Sequence, residues 1–277
     1  MSVQQTVDDN TSSISLGETV AEQAPLKKLH PTNTIIAIDT SGSMRDHLKK
    51  GIENFNSEIL ASQQSVYEDA VDINGVVPTK ELCLMTLVLF SGSSNIRVIF
   101  QDVPIHEVKP IDSGLHRADG MTALRDTVVL CDKLKLKYPE RKTMRFFITD
   151  WEDTDTSDSH FQVQEIFAKY EKSKLENPDF AHSATFIGSN QDAIALGKSM
   201  GLAPSSALTY DDDNIGDAMT SVGRMLTRVA TGIHASPMVS DQDRMDSCPK
   251  SYNSTPQDYD IIATDDTCWI NKIYSYL

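Results

Sequence analysis

The sequence predicts an α/β fold: a doubly wound, Rossmann-like and mostly parallel sheet with one antiparallel edge hairpin and helices on both faces. Two observations predict it. Short apolar runs rich in β-branched residues alternate with stretches whose apolar residues recur every three or four positions. Two of those apolar runs are separated only by the polar segment 91–95, which suits a hairpin turn and is too short for a crossover helix.

The elements of the first half follow in order. Residues 35–38 are apolar throughout, as expected of a strand buried on both faces, and a helix follows. Residues 82–90 and 96–100 form the two strands of the hairpin. The next helix ends at Pro139, because proline cannot continue it. The apolar stripes of these two helices comprise Leu48, Ile52, Phe55 and Ile59 in the first, and Leu124, Val128, Cys131, Leu134 and Tyr138 in the second.

The second half repeats the alternation. Strands are predicted at residues 143–149, 181–187 and 207–210, and helices at 161–175, after residue 190, and after residue 214. The last helix has an apolar stripe of Ile215, Met219, Val222, Leu226 and Val229.

The predicted domain covers residues 31–232. Residues 1–30 are polar and acidic, which indicates a flexible leader. Residues 233–277 form a polar tail with a few apolar patches, which either docks on the domain or binds a partner.

Charge and cysteine usage exclude several classes of function. The formal net charge of -15 argues against binding to nucleic acid and to anionic membranes, because no basic patch is available to neutralise phosphate. The four cysteines (Cys83, Cys131, Cys248 and Cys268) have no zinc-site spacing. With neither a signal peptide nor a membrane-spanning run in the sequence, we expect an intracellular protein in the cytoplasm.

Polar side chains follow the first predicted strand at the point where it ends. Asp39 comes directly after the apolar run, and Ser41 and Ser43 lie in the turn before the helix. Such residues are also common helix N-caps, so this segment alone fits either a cap or a metal site. A carboxylate and two hydroxyls are hard donors, which suit Mg²⁺, Mn²⁺ or Ca²⁺ better than zinc or copper.

One further strand end and one loop supply the remaining donors. The strand at 143–149 also ends in a carboxylate, Asp150, and Thr122 lies in the loop before the second helix. In a doubly wound sheet the carboxyl ends of neighbouring parallel strands meet at one edge, where ligands bind. We therefore predict one metal site at this edge, with the ligands Asp39, Ser41, Ser43, Thr122 and Asp150.

Three segments carry a family resemblance: residues 39–44 (Asp-Thr-Ser-Gly-Ser-Met), 119–124 (Asp-Gly-Met-Thr-Ala-Leu) and 148–150 (Ile-Thr-Asp). In this order they resemble the three motifs of the metal-ion-dependent adhesion site (MIDAS) of von Willebrand factor type A (VWA) domains, over roughly residues 32–230. The resemblance implies hydroxyl ligation by Ser41, Ser43 and Thr122, with Asp39 and Asp150 acting directly or through water. Family members often have glycine after the last aspartate, whereas this chain has Trp151.

The resemblance implies a binding module rather than an enzyme. An acidic side chain of a partner protein would complete the shell of the bound Mg²⁺, Mn²⁺ or Ca²⁺, and Trp151 either anchors the partner at the rim or packs on the domain. The setting would be intracellular, as in a phage or viral assembly or beside an ATPase. The alternative is a hydrolase or phosphoryl-transfer enzyme that uses the same cation, with His47 or His116 as the base.

Overall fold

The computed structural model describes residues 27–150, 153–155, 160–178, 181–189 and 193–248. A six-stranded sheet forms the centre of the described part, in the order β5-β4-β2-β6-β7-β8. All its neighbouring strands are parallel except the edge pair β4–β5. Its strands are β2 (Thr32–Asp39), β4 (Cys83–Phe90), β5 (Ile96–Pro104), β6 (Lys142–Thr149), β7 (His182–Ser189) and β8 (Ala207–Tyr210).

Strand β2 is the centre of the sheet, and all eight of its residues are buried. After β2 the chain builds β4 and β5 on one side, then crosses to the other side for β6, β7 and β8. The carboxyl ends of β2 and β6 therefore flank the point where the winding direction reverses, which is the usual ligand-binding crevice of such sheets.

Helices cover both faces of the sheet, as the sequence predicts. Side chains alternate along β2, so that Ile36 and Ile38 face one helical layer while Ile35 and Ala37 face the other. The first layer contains α1 (Leu48–Asn54), α2 (Ala61–Tyr67) and α6 (Ile215–Ala230); the second contains α3 (Leu124–Lys133), α4 (His160–Glu176) and α5 (Ala193–Ser199). In the described part of the chain no helix is both long and apolar enough to cross a membrane.

The helices differ from their predicted extents in two places. A π-helical stretch, Phe55–Leu60, joins α1 to α2, so helical structure continues to Tyr67, beyond Ile59, the last residue of the predicted apolar stripe. Helix α3 ends at Lys133, earlier than predicted, and Leu134 is already outside it. The Asn33 side chain donates a hydrogen bond to the carbonyl of Tyr138, which fixes this residue in a non-helical connection.

Regular structure also extends beyond residues 31–232. Strand β1 (Lys27–Leu29) pairs in parallel with β3 (Ala70–Asp72) in a separate two-stranded sheet. At the other end, α7 (Asp241–Ser247) packs on α6, and Asp243 accepts hydrogen bonds from the guanidinium groups of Arg224 and Arg228. The remainder of the predicted leader and tail, 1–26 and 249–277, lies outside the described residues.

Helix α6 approaches the π-helical stretch so closely that one of its positions has no room for a side chain. A Cβ at Gly223 would lie 2.8 Å from the carbonyl oxygen of Glu58, which is a backbone atom and cannot rotate away. A Cβ at Gly216 would come no nearer than 3.3 Å, to the flexible side chain of Asn54. Helix α6 therefore has room for a methyl group at Gly216 but not at Gly223.

We predict that Gly223→Ala destabilises the protein by about 1–3 kcal/mol, because it overpacks a helix–helix contact. Gly216→Ala is the matched control, and its better helix propensity should leave stability unchanged or slightly higher. Urea unfolding of both variants measures the difference. Equal stabilities would show that α6 does not pack this closely.

Candidate metal centre

Asp39 is the innermost residue of the candidate site. It is the last residue of β2 and is fully buried, and each carboxylate oxygen accepts one short hydrogen bond. The backbone N–H of Ser41 donates to Oδ1 at 2.7 Å, and the hydroxyl of Thr149, the last residue of β6, donates to Oδ2 at 2.5 Å. These two bonds hold the carboxylate in one orientation at the carboxyl edge of the sheet.

The two serine hydroxyls of the first motif lie side by side. Ser41 is buried and Ser43 is exposed at the start of a short 3₁₀ turn, and their hydroxyls share a hydrogen bond with the Oγ atoms 2.9 Å apart. Adjacent ligands of an octahedral Mg²⁺ with bonds of about 2.0–2.1 Å are themselves separated by about 2.9 Å. The spacing of this pair therefore fits two neighbouring corners of a magnesium octahedron.

Backbone hydrogen bonds join the first motif to the second. The N–H of Gly42 donates to the carbonyl of Gly120 at 2.9 Å, and the N–H of Asp119 donates to the carbonyl of Thr40 at 3.0 Å. Gly120 has a φ of +78°, a conformation that favours glycine and that the turn before Thr122 requires. The two loops are thus held together, independently of their side chains.

The loop after β6 holds the second motif from the other side. The carbonyl of Thr122 accepts hydrogen bonds at 2.9 Å from the N–H groups of Thr154 and Asp155, and its own N–H donates to the Thr154 hydroxyl. Asp153 accepts from the N–H of Leu124 at the start of α3 and forms an ion pair with Arg125. The segment 119–125 is therefore fixed on both flanks.

Asp150 follows β6 directly, and the parallel pairing of Ile38 with Ile148 brings it beside Asp39. Burial raises the pKa of Asp39 to about 6; the hydrogen bonds from Thr149 and Ser41 oppose this shift, and the nearby charge of Asp150 adds to it. Two carboxylates with buried hydroxyls next to them form a site of concentrated negative charge, which a divalent cation would neutralise.

The donors present fit a hard divalent cation. Ser41, Ser43, Thr122, Asp39 and Asp150 offer only oxygen, which Mg²⁺, Mn²⁺ and Ca²⁺ prefer. Among the residues that the structure describes, no group of three or more His, Cys, Asp or Glu side chains is placed to hold a metal. The fit to a cation therefore depends on the hydroxyl groups of Ser41, Ser43 and Thr122.

The structure describes the two histidines considered as candidate bases but not the predicted rim residue. Trp151, the predicted rim residue, lies outside the described residues. His47 sits between the 3₁₀ turn and α1, where its backbone N–H bonds the carbonyl of Met44. Burial, followed by the charge of Arg97, lowers the pKa of His116.

Sequence reasoning missed three supporting residues, Thr149, Asp153 and Thr154. Thr149 precedes Asp150 in the third motif, so its place beside the site could have been read from the motif. Asp153 and Thr154 accept hydrogen bonds from Leu124 of α3 and from Thr122, about thirty positions earlier in the chain. No local sequence pattern predicts such a contact.

Comparison with known proteins gives matches to solved structures only. No protein-family model matches the chain, and neither does any curated protein. A von Willebrand factor type A structure from Catenulispora acidiphila is 15% identical, has a TM-score of 0.43, and is matched over 72% of this chain and 43% of that one. Proximal thread matrix protein 1 from the mussel byssus, solved with a zinc-occupied MIDAS motif, is 10% identical, with a TM-score of 0.45 and coverage of 72% and 48%.

A third match is the pilus adhesin SpaC from Lactobacillus rhamnosus GG, which is 12% identical, with a TM-score of 0.48 and coverage of 72% and 30%. This chain thus spans less than half the length of each of the three structures. The similarity is one of fold alone. A von Willebrand factor type A structure is among the solved structures to which this chain is similar.

Proposed function

We propose that this chain is a divalent-cation-dependent protein-binding module of the VWA type. The cation would be held by Ser41, Ser43, Thr122, Asp39 and Asp150, and an exposed Asp or Glu of a partner protein would complete its shell. The observation that carries the proposal is the 2.9 Å separation of the Ser41 and Ser43 oxygens beside the buried Asp39. This spacing and this chemistry suit an octahedral cation at the sheet edge where ligands bind.

Magnesium is the proposed ion, with Mn²⁺ or Ca²⁺ as substitutes, because all the donors are hard oxygens. When bound, the cation supplies a Lewis-acidic position for an incoming carboxylate. Asp39, which Ser41 and Thr149 hold in one orientation, would bind the cation from the buried side of the site. Ser43, which is exposed, marks the side from which a partner would approach.

The charge of the chain gives the proposed binding a distinctive salt dependence. A net charge of -15 repels an acidic partner at long range, and monovalent salt screens that repulsion. At the cation the sign reverses, so the contact itself is attractive. Binding that requires the divalent ion yet tolerates monovalent salt would therefore support an acidic ligand group.

We favour a non-catalytic role because the two carboxylates at the edge are both used by the proposed cation, as ligands or through water. The hydrolase or phosphoryl-transfer alternative needs a base within reach of a metal-bound water. The intracellular setting, including a phage or viral assembly, stays a prediction of the composition.

We predict that millimolar Mg²⁺ or Mn²⁺ raises the melting temperature by binding the folded state, and that Thr122→Val and Asp39→Asn abolish this increase. Both changes nearly preserve side-chain volume, so the metal-free folds should persist. Asp119→Asn is the matched control, because it removes a negative charge from the same loop without removing a proposed ligand. Differential scanning calorimetry with and without the ions measures the increments. The site is misplaced if Thr122→Val and Asp39→Asn respond to the ions as the parent does.

Thr149→Val refines the same experiment. It removes the hydroxyl that donates to Asp39 Oδ2, so we expect metal affinity to fall by about 10–100-fold, as for the loss of other groups that orient a ligand. Thr185→Val is its control, since the hydroxyl of this buried threonine on β7 has no hydrogen-bond partner among the described residues. Equal metal affinities in the two variants would contradict the role given to Thr149.

A partner should be captured only when the cation is present. We expect affinity capture with the parent chain in Mg²⁺ to retain proteins that are lost in EDTA and that Asp39→Asn never retains. Once such a partner is in hand, Trp151→Ala should weaken its binding by about 2 kcal/mol without changing metal affinity, if Trp151 is an anchor. Capture that EDTA leaves unchanged would contradict a metal-mediated contact.

A further inference from the structure

A buried polar cluster lies at the amino end of the parallel strands, opposite the candidate metal centre. Its members come from three elements: Arg145 on β6, His182 at the start of β7, and Tyr170 on α4. Arg145 is only 2% exposed, and His182 is half-buried. The proposed cation site uses none of them.

The Arg145 guanidinium is held by neutral acceptors and a ring. Its Nε donates to the carbonyl of Cys131 at 3.4 Å, and its Nη1 lies 3.4 Å from Nδ1 of His182. The guanidinium carbon of Arg145, Cζ, lies 4.5 Å from the centre of the Tyr170 ring, in a cation–π contact. Arg145 thus depends on the His182 ring for one of its hydrogen bonds.

The same contacts define the protonation state of His182. Arginine can only donate, so Nδ1 of His182 must accept and carries no proton. The remaining nitrogen, Nε2, then carries the single proton of the neutral ring. The imidazole, stacked on Tyr170 at 6.0 Å, therefore satisfies all these contacts only when it is neutral.

The charges around the ring oppose a second proton. Burial, then Arg145, then Lys169 on α4 lower the pKa of His182 to about 4, while Asp132 on α3 opposes the shift. Asp132 is itself engaged by the Tyr170 hydroxyl at 2.9 Å and by Lys169 at 3.2 Å. Cys131 contributes only a backbone carbonyl to Arg145, and its buried thiol has a raised pKa.

We propose that His182 is an acid-sensitive latch, which joins β6, β7 and α4 while it is neutral and releases them when it is protonated. A proton on Nδ1 would turn the acceptor of Arg145 into a second donor and place two cations side by side. Arg145 would then be buried without that acceptor, so the cluster opens rather than rearranges.

The sign of the effect follows from the direction of the pKa shift. The folded-state pKa of His182 lies below the usual value of 6.5, so between the two values the unfolded chain binds more protons than the folded one. The contribution of His182 to stability is therefore complete above the unfolded-state pKa. It is lost as the pH falls from about 6.5 towards 4.

Unfolding of the full chain in urea, with EDTA present, tests the latch at pH 7.5 and pH 5.0. We expect the folding equilibrium constant of the parent to fall about tenfold more than that of His182→Gln, a figure that allows for the partial exposure of the ring. Glutamine can accept a hydrogen bond from Arg145 but does not titrate. His106→Gln, which changes an exposed histidine, should follow the parent.

Comparing variants cancels the titration of other groups, including Asp39. The proposal is overturned if His182→Gln loses as much stability on acidification as the parent. If that variant does not fold, the ring resonances of His182 in the parent decide by NMR: protonation on Nε2 alone down to pH 5 supports the latch. A protonation midpoint near 6.5 with the fold intact would rule it out.

Discussion

The structure around the candidate site depends on one constraint: a carboxylate is buried at the end of the central strand. Burying the charge of Asp39 costs free energy that its two hydrogen bonds offset only in part, which is why its pKa rises to about 6. A second carboxylate, that of Asp150, lies nearby, directly after the end of β6. This pair, with hydroxyls beside it, is unfavourable by itself, and the proposed divalent cation would neutralise its charge.

Backbone hydrogen bonds hold the loops around these carboxylates in place. Two hydrogen bonds join the loop of Gly42 to that of Gly120, and two more hold Thr122 against the loop after β6. Because the backbone sets the position of the hydroxyl groups, the site does not rely on the cation to bring its loops together. Such preorganisation lowers the entropic cost of binding a cation.

The sequence predicts the proximity of Asp39 and Asp150 better than it predicts the ends of the elements. Asp39 and Asp150 end apolar runs, and a doubly wound sheet makes the ends of such runs neighbours, so their proximity follows from pattern and topology. Helix α3 stops at Lys133 because contacts such as that between Asn33 and Tyr138, more than a hundred residues apart, override the local periodicity. Asp153, Thr154 and the cluster around Arg145 also arise from long-range contacts, which a single sequence does not encode as a motif.

The most direct test of a cation site is an anomalous difference map from crystals of the full chain grown with Mn²⁺. We expect one strong peak at the carboxyl edge of β2, about 2 Å from the Oγ atoms of both Ser41 and Ser43, with Thr122 and Asp150 directly or through water in the same shell. A well-ordered edge without a peak, or a peak that does not involve the two serines, would rule out the proposed cation site.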